Sequence, residues 1–224
     1  MDWQALRISA SLALATAALL AVPGICLARW LAYSRRPWRV LVEASLTVPL
    51  ILPPTVLGFY LLGVLGNSAP LGALYQRLVG APLAFSFSGL LVASLVFNLP
   101  FTVMPMQRAF AAIAPDLLDA ARTCGLSRWR TLWRIELPLA WPGVLTALIM
   151  TAAHTLGEFG VVLMVGGNIP GETRTIAIAI YDRVQAFEMD SAAHMSALLL
   201  VISLLALVVV SWLGSWQRSA RGLL

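Results

Sequence analysis

DAARTCGLSRWRTLWRIELPL, residues 119–139, carries four of the chain's fifteen arginines between two strongly apolar stretches. Together with the residues just before it, it has the grammar of two short helices joined at a glycine. Pro115 suits a first helical turn, Asp116 and Asp119 suit the positive N-terminal end, and Arg122 suits the C-terminal end of a helix over 115–123. Gly125 is a natural left-handed stop. Ser127 can cap a second short helix, which Pro138 is expected to end. Leu117, Leu118 and Ala121 make a small apolar face, and Ala120 and Ala121 allow close approach. Helices this short are not stable alone, so the segment needs a partner to pack against.

Outside the segment the chain is very apolar. Hydrophobic residues make up 60% and charged residues 11% of its 224 positions, with a mean hydropathy of +0.86. A soluble domain carries about one quarter charged residues, so lipid is the solvent this composition suits. All fifteen basic residues are arginine, and there is no lysine. A phosphate-binding P-loop needs a lysine to reach the nucleotide's phosphates, so this chain cannot build one, and no catalytic residue is assigned. Cys26, Cys124, His154 and His194 show no metal-ligand spacing, and two unpaired thiols are expected.

Runs of about 20 apolar residues mark five transmembrane helices. They cover 8–31, 42–65, 87–110, a fourth from Pro142 to about Thr155, and 192–216. The first run exceeds the about 7–15 residues of a signal-peptide core and is read as a retained span. Trp30, Trp38, Trp212 and Trp216 fall at span ends, where amphipathic rings favour the headgroup layer. With five spans, eleven arginines fall on one side: Arg29, Arg35, Arg36, Arg39, Arg108, Arg122, Arg128, Arg130, Arg134, Arg218 and Arg221. Arg7, Arg77, Arg174 and Arg183 fall on the other. The positive-inside rule then puts the N-terminus out, the C-terminus in, and the segment at 119–139 in the cytoplasm. Arg128, Trp129, Arg130, Trp133 and Arg134 suit anionic headgroups. Tethered this close to the membrane, the short segment cannot present a nucleic-acid reading element, and no nucleic-acid partner is expected.

Pro49, Pro53 and Pro54 in the second span, and Pro100 and Pro105 in the third, predict helix breaks whose freed carbonyls must be satisfied internally. Such breaks suit a gated pathway as well as plain helix packing. His154 and Glu158, four residues apart, are expected to share a helix face. Glu158 is read as a group that pairs to hold helices together rather than one that meets an anion. Residues 159–187 are compatible with a re-entrant segment, an outer loop or a continuation of the fourth span.

The spacing Asp119-Ala120-Ala121, then Gly125, Ile135, Leu137 and Pro138, resembles the EAA loop of importer-type ABC transporter permeases, with aspartate at the usual glutamate position. VPLILPPTVLGFYLL in the second span and LGEFGVVLMVGGNIPGETRTIAIAIYDRVQ after the fourth extend the resemblance over nearly the whole chain. They look like the molybdate permeases, with sulfate permeases as near relatives that share EFG and NIPG. The resemblance implies an all-α membrane protein with the type I (MetI-like) importer permease fold. It implies a single transmembrane domain, 1–224, with residues 111–138 as its cytoplasmic coupling loop. Asp119, Ala120, Ala121, Gly125, Ile135, Leu137 and Pro138 would carry ATPase coupling. The implied partners are a second copy of the chain, two cytoplasmic ATPase subunits that bind ATP and Mg, and a periplasmic molybdate-binding protein. The implied place is the bacterial inner membrane, crossed several times, and no cofactor or metal is assigned to this chain. The alternatives are a sulfate or tungstate permease, or a non-transporting scaffold that recruits a cytoplasmic partner.

A permease must release its ion, so no dense arginine cage is expected in mid-membrane. Pathway or gate candidates are Pro53, Pro54, Thr55, Asn98, Thr102, Thr155 and Glu158, with Thr47 and Ser94 as further hydroxyl candidates.

Overall fold

The computed structural model describes residues 1–221, with side chains described to Gly214. The readings placed on Trp216, Arg218, Arg221 and the end of the chain lie outside the described side chains. Regular structure among the described residues is helical throughout.

Helix α1 (Trp3–Tyr33) starts where the Asp2 carboxylate accepts from the Ala5 amide at 2.9 Å. The second predicted span is two helices, α2 (Arg39–Ile51) and α3 (Pro54–Leu65), bent by 112°. Consecutive prolines explain the bend. Leu52 and Pro53 each precede a proline and are held extended, with ψ of 136° and 135°. A short helix α4 (Pro70–Val79) leads to α5 (Phe87–Ala111), which is continuous across Pro100 and Pro105. The breaks expected there do not occur: an isolated proline removes one backbone donor and restricts one preceding residue, and the helix continues through Leu99 and Met104.

The predicted short helix is α6 (Pro115–Thr123). Its follower does not stop at Pro138. A turn of helix α7 (Arg128–Thr131) runs through a π-helical segment (Leu132–Glu136) into α8 (Leu137–Gly157). The helix that carries the fourth span therefore begins at Arg128 rather than near Pro142. The wider turn, with the Leu137 amide bonded to the Leu132 carbonyl, inserts a residue where the Pro138 ring would otherwise press on the preceding turn.

After Gly157 the helix breaks, and α9 (Gly160–Gly166) carries the chain on towards the far end of α5. There the Phe85 amide donates to the Val165 carbonyl at 2.9 Å. The run at Val161–Val165 thus forms a short helix of its own past a break. Helix α10 (Ile176–Gln185) returns, and α11 (Met189–Arg221) forms the last span.

Helices α1, α5 and α8 form the central bundle; α11 packs on α8 and α10, and α3 on α9. Two apolar clusters fill it. Leu31, Val103, Met106, Phe110, Leu132 and Val144 lie at the α6 end. Leu12, Leu57, Leu90, Phe97, Val161 and Val165 lie at the other. On α11, Leu200, Leu204, Leu205, Val208 and Trp212 are exposed, as suits a helix facing lipid.

Candidate functional site

The segment that opened the sequence analysis is built by local chemistry. Pro115 takes the first turn of α6 with Asp116 beside it, and Arg122 lies in the last turn. The Leu126 amide reaches back to the Ala121 carbonyl and the Gly125 amide to that of Arg122, each at 3.0 Å. This is a Schellman closure, and Gly125 takes the positive φ of 73° that it requires. Ser127 then caps the next turn by accepting from the Arg130 amide at 3.3 Å.

Ala121, 4% exposed, is the buried residue of α6. Asp119 points outward and pairs with Arg122 at 2.7 Å, while Leu117 is exposed and Ala120 and Gly125 lie at the surface. Leu118 and Leu137 pack against the α6-end cluster. Ile135 is half-buried and Pro138 is exposed. The result is a short helix with one face anchored and the other free. Trp129 and Trp133 stand exposed beside it, edge to face at 5.7 Å.

Two charged residues beneath this segment were missed in the sequence. Glu136, 2% exposed in the π segment, accepts two bonds from Arg29 of α1, the Nη2 bond at 2.9 Å. The available signal was an isolated acid beside the proline of an apolar run. Glu43 likewise joins two helices, accepting from Arg39 at 2.9 Å and from Gln107 of α5 at 2.6 Å.

A polar seam crosses the middle of the bundle. Asn98 Nδ2 donates to the Ser94 carbonyl and to Thr155 Oγ1, both at 2.9 Å. Thr16 donates to Ser94 at 2.7 Å, and the Thr102 and Thr151 hydroxyls meet at 2.7 Å. Because a backbone carbonyl can only accept, the orientation of the Asn98 amide is forced. Its Oδ1 therefore faces His154 Nδ1, 3.1 Å away, and that nitrogen carries the proton. His154 also stacks on Phe101, with centroids 3.7 Å apart.

The pathway candidates thus separate into two groups. Ser94, Asn98, Thr102 and Thr155 are 0–2% exposed and bonded to one another or to neighbouring helices, sealed inside the bundle. Pro53, Pro54 and Thr55 lie exposed at the bend between α2 and α3. Thr47 bonds its own helix at the Ala44 carbonyl.

Glu158 does not continue the His154 face. It lies just past the end of α8 with ψ of 132°, and its carboxylate accepts from the Val161 amide at 2.9 Å, starting α9. Even so, His154 and Glu158 border the same cavity of about 170 Å³, together with Pro54 and Phe97. The two helix breaks meet here. A Cβ on Gly160 would lie 2.8 Å from Pro54 Cβ, and one on Gly58 would lie 2.7 Å from Met164 Cβ. Only glycine at both places lets α3 and α9 cross this closely.

Among the described residues, no cluster of three His, Cys, Asp or Glu side chains could hold a metal ion. Cys26 and Cys124 are free thiols.

Residues 24–220 match the family described as the binding-protein-dependent transport system inner membrane component. The chain is 46% identical to the molybdenum transport system permease protein ModB of Azotobacter vinelandii, over 92% of this chain and 91% of that protein. It is 34% identical to the protein of the same name from Escherichia coli K12, over 99% and 97%. Sulfate transport system permease protein CysW of Synechocystis is 29% identical, over 92% of this chain and 74% of its own length. Among solved structures, a chain of a bacterial alginate ABC transporter has the same fold, with a TM-score of 0.71 at 18% identity over 97% of this chain and 78% of that one.

Proposed function

The chain belongs to the binding-protein-dependent transport system inner membrane components, and on that premise we propose that it is the membrane subunit of an ATP-driven molybdate importer. It is a multi-pass membrane permease with the type I importer fold. The observation that carries the substrate is 46% identity to a molybdenum permease over 92% of the chain, without a large gap in coverage on either side.

Two copies would enclose a pathway between them, with ATPase subunits docked below and a binding protein delivering the dianion from the other face. The whole chain, 1–224, acts as one permease domain, and residues 111–138 couple it to the ATPase. The free face of α6, with Asp119, Ala120 and Gly125 at its surface, is the docking element. Ala121 anchors it, and Ile135, Leu137 and Pro138 join it to the span. The continuous helix from Arg128 to Gly157 supports this reading, because it runs from the coupling loop to the cavity beside both helix breaks. A displacement of α6 would reach that cavity through one element.

Pro53, Pro54 and Thr55, exposed at the bend, are the residues we place on the pathway. Discontinuous helices at mid-membrane are stable only where protein or a water-lined cavity surrounds them. Asn98, Thr102 and Thr155 hold the helices that frame it, and Glu158 starts α9. Weak contact with the ion suits conduction. Selection between oxyanions would then belong mainly to the binding protein.

Uptake of radiolabelled molybdate, tungstate and sulfate into vesicles holding the permease, its ATPase and the cognate binding protein tests the assignment. Molybdate uptake that needs ATP and exceeds sulfate uptake is the expected result. Preference for sulfate would move the chain to the branch that CysW represents, the second reading its 29% identity keeps open.

A further inference from the structure

At the α6 end of the bundle an open cleft of about 1110 Å³ lies between the last turns of α1, the α1–α2 turn and α6–α7. Six arginines border it: Arg29, Arg35, Arg36, Arg39, Arg122 and Arg128. Its two acids are already engaged, Glu136 by Arg29 and Asp119 by Arg122. Arg39 pairs with Glu43. Arg35, Arg36 and Arg128 have no carboxylate partner among the described residues, although Arg36 lies over the Trp38 ring at 5.7 Å.

The cleft has depth as well as charge. Its α1 wall runs from Ser34 back to Cys26, about 12 Å along a helix. Trp30, Ile113, Leu118 and Leu126 line it with apolar surface. Trp30 stacks on Trp38 with centroids 4.5 Å apart, an aromatic pair of the kind that favours the headgroup layer. Leu117, exposed on the free face of α6, is not part of the wall, whereas Asp119 and Arg122 are, so the cleft adjoins the edge of the docking face. A small inorganic ion would use the cationic mouth and leave the apolar wall bare. A molecule with a phosphate at one end and hydrocarbon at the other uses both.

We propose that this cleft binds the headgroup and first methylenes of an anionic phospholipid. Arg35, Arg36 and Arg128 donate to the phosphate diester through planar guanidinium forks, which suit phosphate geometry. Trp30 and Leu118 receive the start of the chains. The lipid would wedge α6 against α1 and so set the position of the coupling element. This inference rests on the membrane placement given above and is independent of the transported ion.

The test uses the assembled permease–ATPase complex in nanodiscs of phosphatidylcholine and phosphatidylglycerol in equal parts, with co-purified lipid counted by native mass spectrometry. Preferential retention of phosphatidylglycerol is expected. It should fall by about fivefold for each arginine removed in the series Arg35→Gln, Arg36→Gln, Arg128→Gln. The triple lysine variant, which keeps the charge and checks the fold, should retain more lipid than the triple glutamine variant, and Arg77→Gln should match the wild type. Equal retention of both lipids, or no response to the glutamine series, overturns the proposal. So does release of the lipid by inorganic phosphate, which would mean a free-phosphate site, or retention by the isolated permease but not by the complex, which would give the cleft to the ATPase. No transported ion enters the measurement, so its failure and a failure of the molybdate assignment are read separately.

Discussion

Glu136 shows what a single residue does in this protein. Its carboxylate is almost fully buried, and Arg29 supplies two charge-assisted hydrogen bonds from a helix 107 residues away in sequence. Removing one partner of such a pair leaves the other charge uncompensated, which costs about 3 kcal/mol. Arg29→Met, which strands the buried Glu136 carboxylate, should therefore lower the unfolding midpoint of the purified protein in detergent. Arg29→Met combined with Glu136→Leu should recover most of the loss, since replacing both partners removes the stranded charge. An unchanged midpoint in the single variant would mean that the pair does not clamp α1 to the π segment. In the sequence Glu136 was one acid among several arginines, because nothing local says which cation lies opposite. Asn98 carries the same lesson. It read as a pathway residue because a polar side chain in a span draws attention, yet it joins α5 to α8.

At the scale of elements, α6 and α8 show when local signals suffice. Helix α6 begins and ends where Pro115, Thr123 and Gly125 say it should, because each signal acts within its own turn. Pro138 misled because its effect depends on the turn before it, and a π segment absorbed the ring. The paired Pro53–Pro54 broke its span and the separated Pro100 and Pro105 did not: two residues precede a proline in each case, but only Leu52 and Pro53 are consecutive. The coupling reading makes a prediction here. Ala121→Asp puts a charge at a position 4% exposed, and Gly125→Pro demands a negative φ where the chain needs 73°. Both should lower molybdate uptake by more than about tenfold, since either change costs well over the 1.4 kcal/mol that a tenfold effect represents. ATP hydrolysis by the assembled complex should persist. Normal uptake in vesicles containing either variant would remove α6 from the coupling route.

For the whole molecule, orientation depends on whether the bent α2–α3 pair crosses the bilayer. Among the described residues four helices are long and apolar enough to span, and the bent pair makes a fifth if it crosses as one span. Five crossings with the arginine excess inside would put the C-terminus in the cytoplasm and the N-terminus outside. A reporter fused after Leu224 should register cytoplasm, and one placed before Trp3 should register the periplasm. Both reporters on one side would mean that α2 and α3 dip in and return.

By itself, the sequence determined that this chain lives in lipid, roughly where its spans lie, and that a short helix–glycine–helix element interrupts them. Hydropathy, caps and turn residues act within a few positions, so one dimension is enough to read them. Only the tertiary structure decided that two broken helices meet at Gly160 and Pro54, that the buried hydroxyls form a seam between helices, and that arginines from α1, the α1–α2 turn and α6–α7 surround one cleft. Those facts depend on which side chains from distant parts of the chain come within a few ångströms, and that is set by helix packing.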